Sequence, residues 1–151
     1  AAATLAIPIA GGPRFVRVSP SMQDSNLVVE FTMAGIEPGA MQTVGLIGRA
    51  KAVYGCITQG DPAGQKATDI RTKTRANTYQ QGTFQASDRG TLNEVMGFSA
   101  PAIDASENCP NSDHRVVLVS SEFTNVRILD ISNSTSRKIP GTFRKVLFGV
   151  Q

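Results

Sequence analysis

The single histidine of the chain follows a serine and an aspartate, and these are the three residue types of a catalytic triad. Ser112, Asp113 and His114 are consecutive. A nucleophile, a base and an orienting group must meet in space, which adjacent residues do not achieve by themselves. The trio is more typical of a turn before a strand, with Asp113 bonded to nearby backbone and His114 at the surface. We therefore predict no catalytic residue here.

Acid–base chemistry would otherwise depend on carboxylates that the fold brings together. No two glutamates share the face of one strand at a period of two residues, so a glycosidase pair is only an alternative hypothesis. No phosphate-binding glycine loop and no metal-ligand spacing is present, and we predict neither a metal nor a cofactor. The glutamates are Glu30, Glu37, Glu94, Glu107 and Glu122.

The two cysteines offer a different chemistry. Cys56 closes a long apolar run, and Cys109 comes just before another, about fifty residues later. Neither forms a CxxC pair, and one histidine is too little to complete a metal site with them. We predict one disulfide that staples two strands, contributing about 4 kcal/mol to stability. Two free thiols in a cytosolic protein are the alternative.

Cations at alternate positions suggest a second kind of site. Arg71, Lys73 and Arg75 fall on one face of a predicted strand, with about 7 Å between neighbours. Such a row suits a polyanion, for example an acidic glycan. The alternative is a solvated edge strand whose cations prevent edge-to-edge pairing.

The loop from Thr58 to Ala67 is the predicted recognition surface. It leaves the longest strand directly after Cys56, so its base is fixed while its tip is free, as in many β proteins that bind through loops. Its donors and acceptors suit hydroxyl-rich ligands such as glycans. A solubilising surface crossover is the alternative. The candidate ligand-binding residues are Gln59, Asp61, Gln65 and Lys66.

These residues must be positioned by strands, because apolar residues recur at a period of two and a sustained helical period is absent. About eight or nine short strands separated by turn residues predict an all-β fold, a two-sheet antiparallel β-sandwich that is immunoglobulin-like in kind. The antibody-type tryptophan is missing. The predicted strands are 15–18, 27–33, 44–57, 70–76, 82–86, 92–98, 115–120, 123–129 and 142–150.

Composition restricts the class of protein. The chain has 151 residues, 18% of them charged, and a net charge of +3, which is too mild for a dedicated nucleic-acid binder. No apolar run reaches the ~20 residues of a membrane helix. A low-charge surface rich in Ser and Thr is common in secreted β proteins, and the small residues at the start of the chain resemble what signal cleavage leaves.

Two short segments add further hypotheses. We predict that residues 1–13 form a flexible or edge-strand segment before a single domain at 14–151, and that the alternating Leu5, Ile7 and Ile9 could add a strand to a second copy. Packing on its own domain is the alternative. Asn133 begins a glycosylation sequon, which matters only in a eukaryotic secretory protein.

Several strand and turn residues resemble a group of small secreted proteins from actinomycetes and other microbes. The resemblance covers roughly residues 44–145, although Gln59 and Asp61 stand where that group has more Gly and Asn. It implies a secreted, disulfide-bonded β-sandwich and no particular activity. The segments that carry it are 54–60, Ala67, 82–84, Cys109–Pro110, 115–119, 123–126 and 140–143.

We therefore expect a secreted, non-enzymatic β-sandwich that acts in binding or assembly at a cell surface or matrix. Its partner would be a surface glycan or other polyanion. One alternative is the protomer of an extracellular filament or oligomer joined by strand addition, which would bind itself through the N-terminal segment. Another is a small secreted hydrolase with a carboxylate site.

Overall fold

Nine β-strands and no helix make up the part of the chain that the computed structural model describes, residues 12–104 and 106–151. Both the all-β class and the expected number of strands are confirmed. No helix in these ranges is long and apolar enough to cross a membrane. The strands are β1 (Arg14–Gln23), β2 (Asn26–Ala34), β3 (Met41–Thr58), β4 (Lys66–Gln85), β5 (Leu92–Phe98), β6 (His114–Asp130), β7 (Thr135–Ile139), β8 (Phe143–Val146) and β9 (Gly149–Val150).

The strands form two sheets. One has three strands in the order β1-β2-β5, and the other has six, in the order β7-β6-β3-β4-β9 with β8 also paired to β6. All pairings are antiparallel except the short one between β4 and β9. The centre of the larger sheet is β3, which pairs with β4 on one side and β6 on the other.

Alternation along the strands produces the main core. In β2, every second residue from Leu27 to Met33 is buried, and the same period recurs in parts of β3 and β6. Side chains of both sheets meet there, and the rings of Phe31 in β2 and Phe84 in β4 pack edge to face. The buried members are Leu27, Val29, Phe31, Met33, Ile36, Val44, Leu46, Ala50, Ala86, Leu92, Met96, Phe98, Phe123, Val126, Ile128 and Ile139.

Two pairs of predicted strands are single long strands in the structure. Residues 70–76 and 82–86 are joined in β4, which ends at Gln85, and 115–120 and 123–129 both belong to β6. Mostly polar residues, 77–81 and 121–122, separate the runs in the sequence, but long partner strands keep the chain extended there. Shifts of register between Gly48 and Ala50, and again before Cys56, absorb the irregularity as β-bulges.

Other boundaries also differ. Pro20 lies within β1 instead of ending it, which is possible because β1 is the edge of its sheet. The run 142–150 divides into β8 and β9. β7 was not expected at all, because Thr135–Ile139 contains a single apolar residue. Most of the proposed N-terminal segment, including Leu5, Ile7 and Ile9, lies outside the described residues.

The expected disulfide is present. Cys56 and Cys109 are bonded, with their Cα atoms 6.0 Å apart and a separation of 53 residues along the chain. Cys56 is buried in β3, whereas Cys109 belongs to the connection between β5 and β6. The bond therefore joins a strand to the long connection that leads into another strand.

Replacing Cys56 with serine should lower the free energy of unfolding by about 2–5 kcal/mol, because the unfolded chain regains the entropy of the open loop. Chemical denaturation of the oxidised protein measures the change. The Cys109→Ser variant and the double variant should fall by a similar amount, since each removes the same bond. A loss confined to Cys56→Ser would contradict this and point to packing at the buried position.

Candidate functional site

One end of the six-stranded sheet gathers three separate parts of the chain. The segments are the recognition loop (residues 58–67) between β3 and β4, the turn 109–114 that leads into β6, and the C-terminal residues 147–151. We call this region the loop end. Because β3, β4 and β6 are antiparallel neighbours in the sheet, the end of β3 must lie beside the starts of the other two.

The recognition loop is braced by its own polar side chains. The Gln65 side chain accepts a hydrogen bond from the Thr58 backbone N–H (2.8 Å) and donates one to the Asp61 carbonyl (2.7 Å). The Asp61 carboxylate accepts from the Ala63 N–H at 2.9 Å. Gly64 has φ of +77°, a conformation that glycine adopts without strain. Two of the four predicted ligand-binding side chains therefore shape the loop.

A second set of hydrogen bonds ties this loop to the turn before β6. The Gln59 backbone N–H donates to the Asp113 carbonyl (3.0 Å), and its side-chain amide donates to the His114 carbonyl (3.4 Å). The turn is closed by the Asn111 side chain, which accepts from the Asp113 N–H at 2.9 Å. The turn was expected, but Asn111 makes the side-chain bond that the sequence suggested for Asp113.

The C-terminal residues complete the loop end. β9 pairs in parallel with Lys66 and Ala67, and the Gln151 N–H donates to the Ala67 carbonyl at 3.2 Å. Phe148 packs on a small second apolar cluster, which is separate from the main core and belongs to the larger sheet. The cluster contains the buried Ile57, Ala67 and Val119, with Val53 and Val117 packed beside them.

Two open grooves flank the recognition loop. The first, of about 530 Å³, lies between residues 61–66 and the C-terminal residues 147–149. The second, of about 440 Å³, lies between the loop, His114 and Gln151. Both grooves have mixed polar and apolar walls. A ligand that spanned them would pass over Gln65 and Lys66, which line both.

His114 lies where the second groove meets a third one. The side chain was expected at the surface but is half-buried, and its Nδ1 is buried with no hydrogen-bond partner among the described residues. The third groove, of about 590 Å³, runs from His114 along Asn108, Asn111 and Ser112. A buried nitrogen without a partner costs free energy, and such atoms in native proteins require an explanation.

The connection between β5 and β6 forms a strap (residues 99–113) beside the β3–β4 face. Besides its disulfide, it is held by the Tyr54 hydroxyl, which donates to the Pro101 carbonyl at 2.7 Å. Burial raises the pKa of the Tyr54 phenol, and a backbone hydrogen bond from Ile103 partly offsets this. Apart from the position of Cys109, no sequence pattern indicated this contact.

The same strap contacts the basic row, which we define as Arg71, Lys73 and Arg75. The row pairs with alternate residues of β3, so its members share one face of β4 as expected. Lys73 forms an ion pair with Glu107, and Arg71 donates to the Asn108 carbonyl at 2.9 Å. Arg75 is exposed. Two of the three cations thus already bind the strap of the chain itself.

The remaining predicted position lies apart from the loop end. Asn133 is in the exposed turn between β6 and β7, at the other end of the sheet. Its side-chain amide donates to both oxygens of the buried Asp130 carboxylate, at 3.1 and 3.0 Å. Glycosylation of Asn133 stays a prediction.

No protein-family model matches this sequence, and comparison with curated proteins finds no significant relative. The resemblance to small secreted actinomycete proteins therefore remains a hypothesis. Within the described residues, no group of three or more His, Cys, Asp or Glu side chains could hold a metal ion.

The strap should loosen at alkaline pH. A hydrogen bond to Glu107 raises the pKa of Lys73 above its ordinary value, and burial does the same for the pKa of Tyr54. A pKa raised by folding stabilises the protein below the unfolded value and ceases to do so as pH rises through the folded value. Both groups should therefore stabilise the folded state up to about pH 10 and lose that effect above it.

Urea denaturation between about pH 7 and pH 11 tests this expectation. Tyr54→Phe should lower stability by about 0.5–1.5 kcal/mol at neutral pH, through the lost hydrogen bond, and should flatten the alkaline decline. Tyr79→Phe is the matched control, because Tyr79 is exposed and, among the described residues, its hydroxyl bonds only to Gln81 nearby. An alkaline decline that is equally steep in wild type and Tyr54→Phe would contradict the assignment.

Proposed function

We propose that this protein is a secreted, non-enzymatic β-sandwich, immunoglobulin-like in kind, that binds hydroxyl-rich ligands such as surface glycans at its loop end. The observation that carries the proposal is the braced recognition loop between two open grooves. A loop that is already ordered loses little conformational entropy when it binds, which favours affinity. A crossover loop whose only role is solubility would not need hydrogen bonds from its own side chains to keep it ordered.

The chemistry of the loop end favours hydroxyl groups as its ligands. Amide and hydroxyl side chains are common in the walls, and they offer both donors and acceptors of hydrogen bonds, as a sugar hydroxyl does. Phe148 and Leu147 give the first groove an apolar wall suited to the C–H face of a sugar ring. The uncharged polar residues that line the grooves at His114 are Thr58, Gln65, Thr68, Asn108, Asn111, Ser112 and Gln151.

Secretion is the other half of the proposal. A disulfide between Cys56 and Cys109 is consistent with an oxidising compartment. A composition with few charges and many hydroxyl and amide groups supports the same view. Reducing and non-reducing mass spectrometry of the natural protein, recovered from culture medium and from cells, would test it directly.

A polyanion is the second candidate ligand, because the basic row already accepts an acidic side chain. Glu107 of the strap contacts Lys73, and the third cation, Arg75, is exposed. An external polyanion would have to displace the strap or bind mainly through Arg75. Its binding should therefore be weak and sensitive to salt.

A hydrolase is the third candidate, because Asp104 and Glu107 line the same groove. Two carboxyl groups on one cleft are the usual minimum for glycoside hydrolysis. Against this assignment, Glu107 is engaged by Lys73. Release of reducing sugar that disappears in both Asp104→Asn and Glu107→Gln would establish the hydrolase in place of a binding protein.

The recognition loop is tested by exchanging residues 59–65 for a short Gly/Ser loop. Binding to an array of neutral and acidic oligosaccharides should be lost, while the thermal midpoint falls only slightly, by about 2–4 °C for each kcal/mol of loop contacts removed. The finer variants Lys66→Ala and Ser112→Ala should each weaken binding, because both side chains line the grooves.

Matched controls lie at the opposite end of the larger sheet, where Asp88 and Arg89 are exposed in a turn. Asp88→Ser and Arg89→Ser should bind like wild type. Binding that survives the loop exchange, or that the controls also abolish, would move the site away from the recognition loop.

The polyanion candidate has its own test on an acidic polymer column. Replacing Arg71, Lys73 and Arg75 with serine should abolish retention at low salt, and wild-type protein should elute as the Debye length falls from ~30 Å at 0.01 M to ~8 Å at 0.15 M salt. Retention that is unchanged in the triple variant would leave the row with a structural role, in which it holds the strap and protects the edge of β4.

A further inference from the structure

The edges of the two sheets differ in how they are protected against pairing with another chain. Natural edge strands carry charges, proline or bulges, or are short. β1 contains Pro20 and two arginines, and β5 contains Glu94. β7 and β8 have five and four residues, and each carries two cations. Each of these edges thus has at least one of the usual protections.

β4 is the exception. On its outer side, β9 pairs only with Lys66 and Ala67, and among the described residues no other strand pairs with that side. The basic row protects part of what remains. Beyond it, residues 76–85 contain no charge and no proline. This half of the edge therefore lacks the protection that every other edge has.

The unprotected half of β4 is also regular. Residues 78–85 pair with β3 without a bulge, so their backbone is extended along the whole segment. Thr78 is buried, and Gly82 and Phe84 are half-buried. The outward N–H and C=O groups of such an edge are a template for another strand. The exposed members of the segment are Tyr79, Gln80, Gln81, Thr83 and Gln85.

We propose that the segment around Gln80 pairs antiparallel with the same segment of a second copy, residues 78–82 with residues 82–78, so that two six-stranded sheets join into one continuous sheet. This goes beyond the proposed function and does not depend on it. A two-fold axis perpendicular to the sheet places the same face of both copies on the same side. Because side chains alternate between the two faces, each residue must pair with itself or with a residue an even number of positions away. The axis therefore passes between two copies of one residue.

The distribution of charge disfavours an axis within the basic row. An axis at Lys73 would place Arg71 opposite Arg75 of the second copy, and like charges directly opposite each other destabilise a sheet. An axis at Gln80 places Tyr79 opposite Gln81 and leaves no like charges facing each other. It also buries more of Tyr79, which is 48% exposed in the single chain. A second copy therefore fits this segment better than it fits the basic row.

Such a dimer leaves the loop ends accessible. Gln80 is about 45 Å along β4 from Lys66, because each residue advances the strand by about 3.3 Å. The paired strands are antiparallel, so the two loop ends would lie at opposite ends of the joined sheet. A dimer that binds glycans at its loop ends would then bridge two surfaces.

A charge exchange at Gln80 tests the pairing on the full chain. In the variants Gln80→Lys and Gln80→Glu, two like charges meet at the axis, and each homodimer should weaken by about tenfold or more. An equimolar mixture of the two variants should recover dimers, because opposite charges then meet. Light scattering after size exclusion and sedimentation equilibrium, at up to about 1 mM protein, measure the association. Ser21→Lys, at an exposed position of the edge strand β1, is the control and should dimerise like wild type.

Recovery of dimers in the mixture also shows that both variants fold. Wild type that stays monomeric at the highest concentration overturns the proposal, and so does a dimer that neither variant weakens. A dimer lost only when residues 1–11 are removed would assign strand addition to the N-terminal segment, and would equally overturn pairing through β4.

Discussion

The bond between Cys56 and Cys109 is the constraint on which the loop end depends. It fixes the strap close to the end of β3, where the recognition loop begins. The described residues of the strap, 99–104 and 106–113, have no regular secondary structure, and their other anchors are the Tyr54 hydroxyl and two contacts with the basic row. Partly exposed ion pairs contribute little by themselves, which leaves the covalent bond as the principal anchor.

The two apolar clusters stabilise different parts of the structure. The main core joins the two sheets and accounts for most of the buried side chains. The second cluster, beneath Phe148, holds the C-terminal residues against the loop end. The groove beside residues 147–149 therefore depends on a small number of contacts, and local opening there would cost less free energy than unfolding the core.

The sequence predicted the features that depend on local pattern. The period of two in β2 and β3 identified strands and buried faces, and the isolated cysteines indicated the disulfide. The sequence did not predict which strands pair over long range. Nothing local shows that residues 76–82 stay extended beside β3, or that Thr135–Ile139 pairs with β6, because the partner strands supply the hydrogen bonds.

In the candidate site, too, the sequence predicted local features but not long-range contacts. Turn residues that follow a strand located its loop, but the sequence did not show the role of each side chain within that loop. Gln65, which was expected to bind ligand, also braces the loop, and two cations of the basic row, which was expected to face solvent, also contact the strap. Both contacts follow from the three-dimensional arrangement, as do the grooves at His114 and Gln151.

Amide hydrogen exchange is the most direct test of the claim that the disulfide organises the loop end. Exchange would be compared between the oxidised protein and the Cys56→Ser/Cys109→Ser double variant. Beyond any change shared by the whole chain, protection should be lost at residues 54–67 and 106–116 and kept in β2 and β5. A loss spread evenly over all strands, or protection at the loop end that survives without the bond, would contradict that claim.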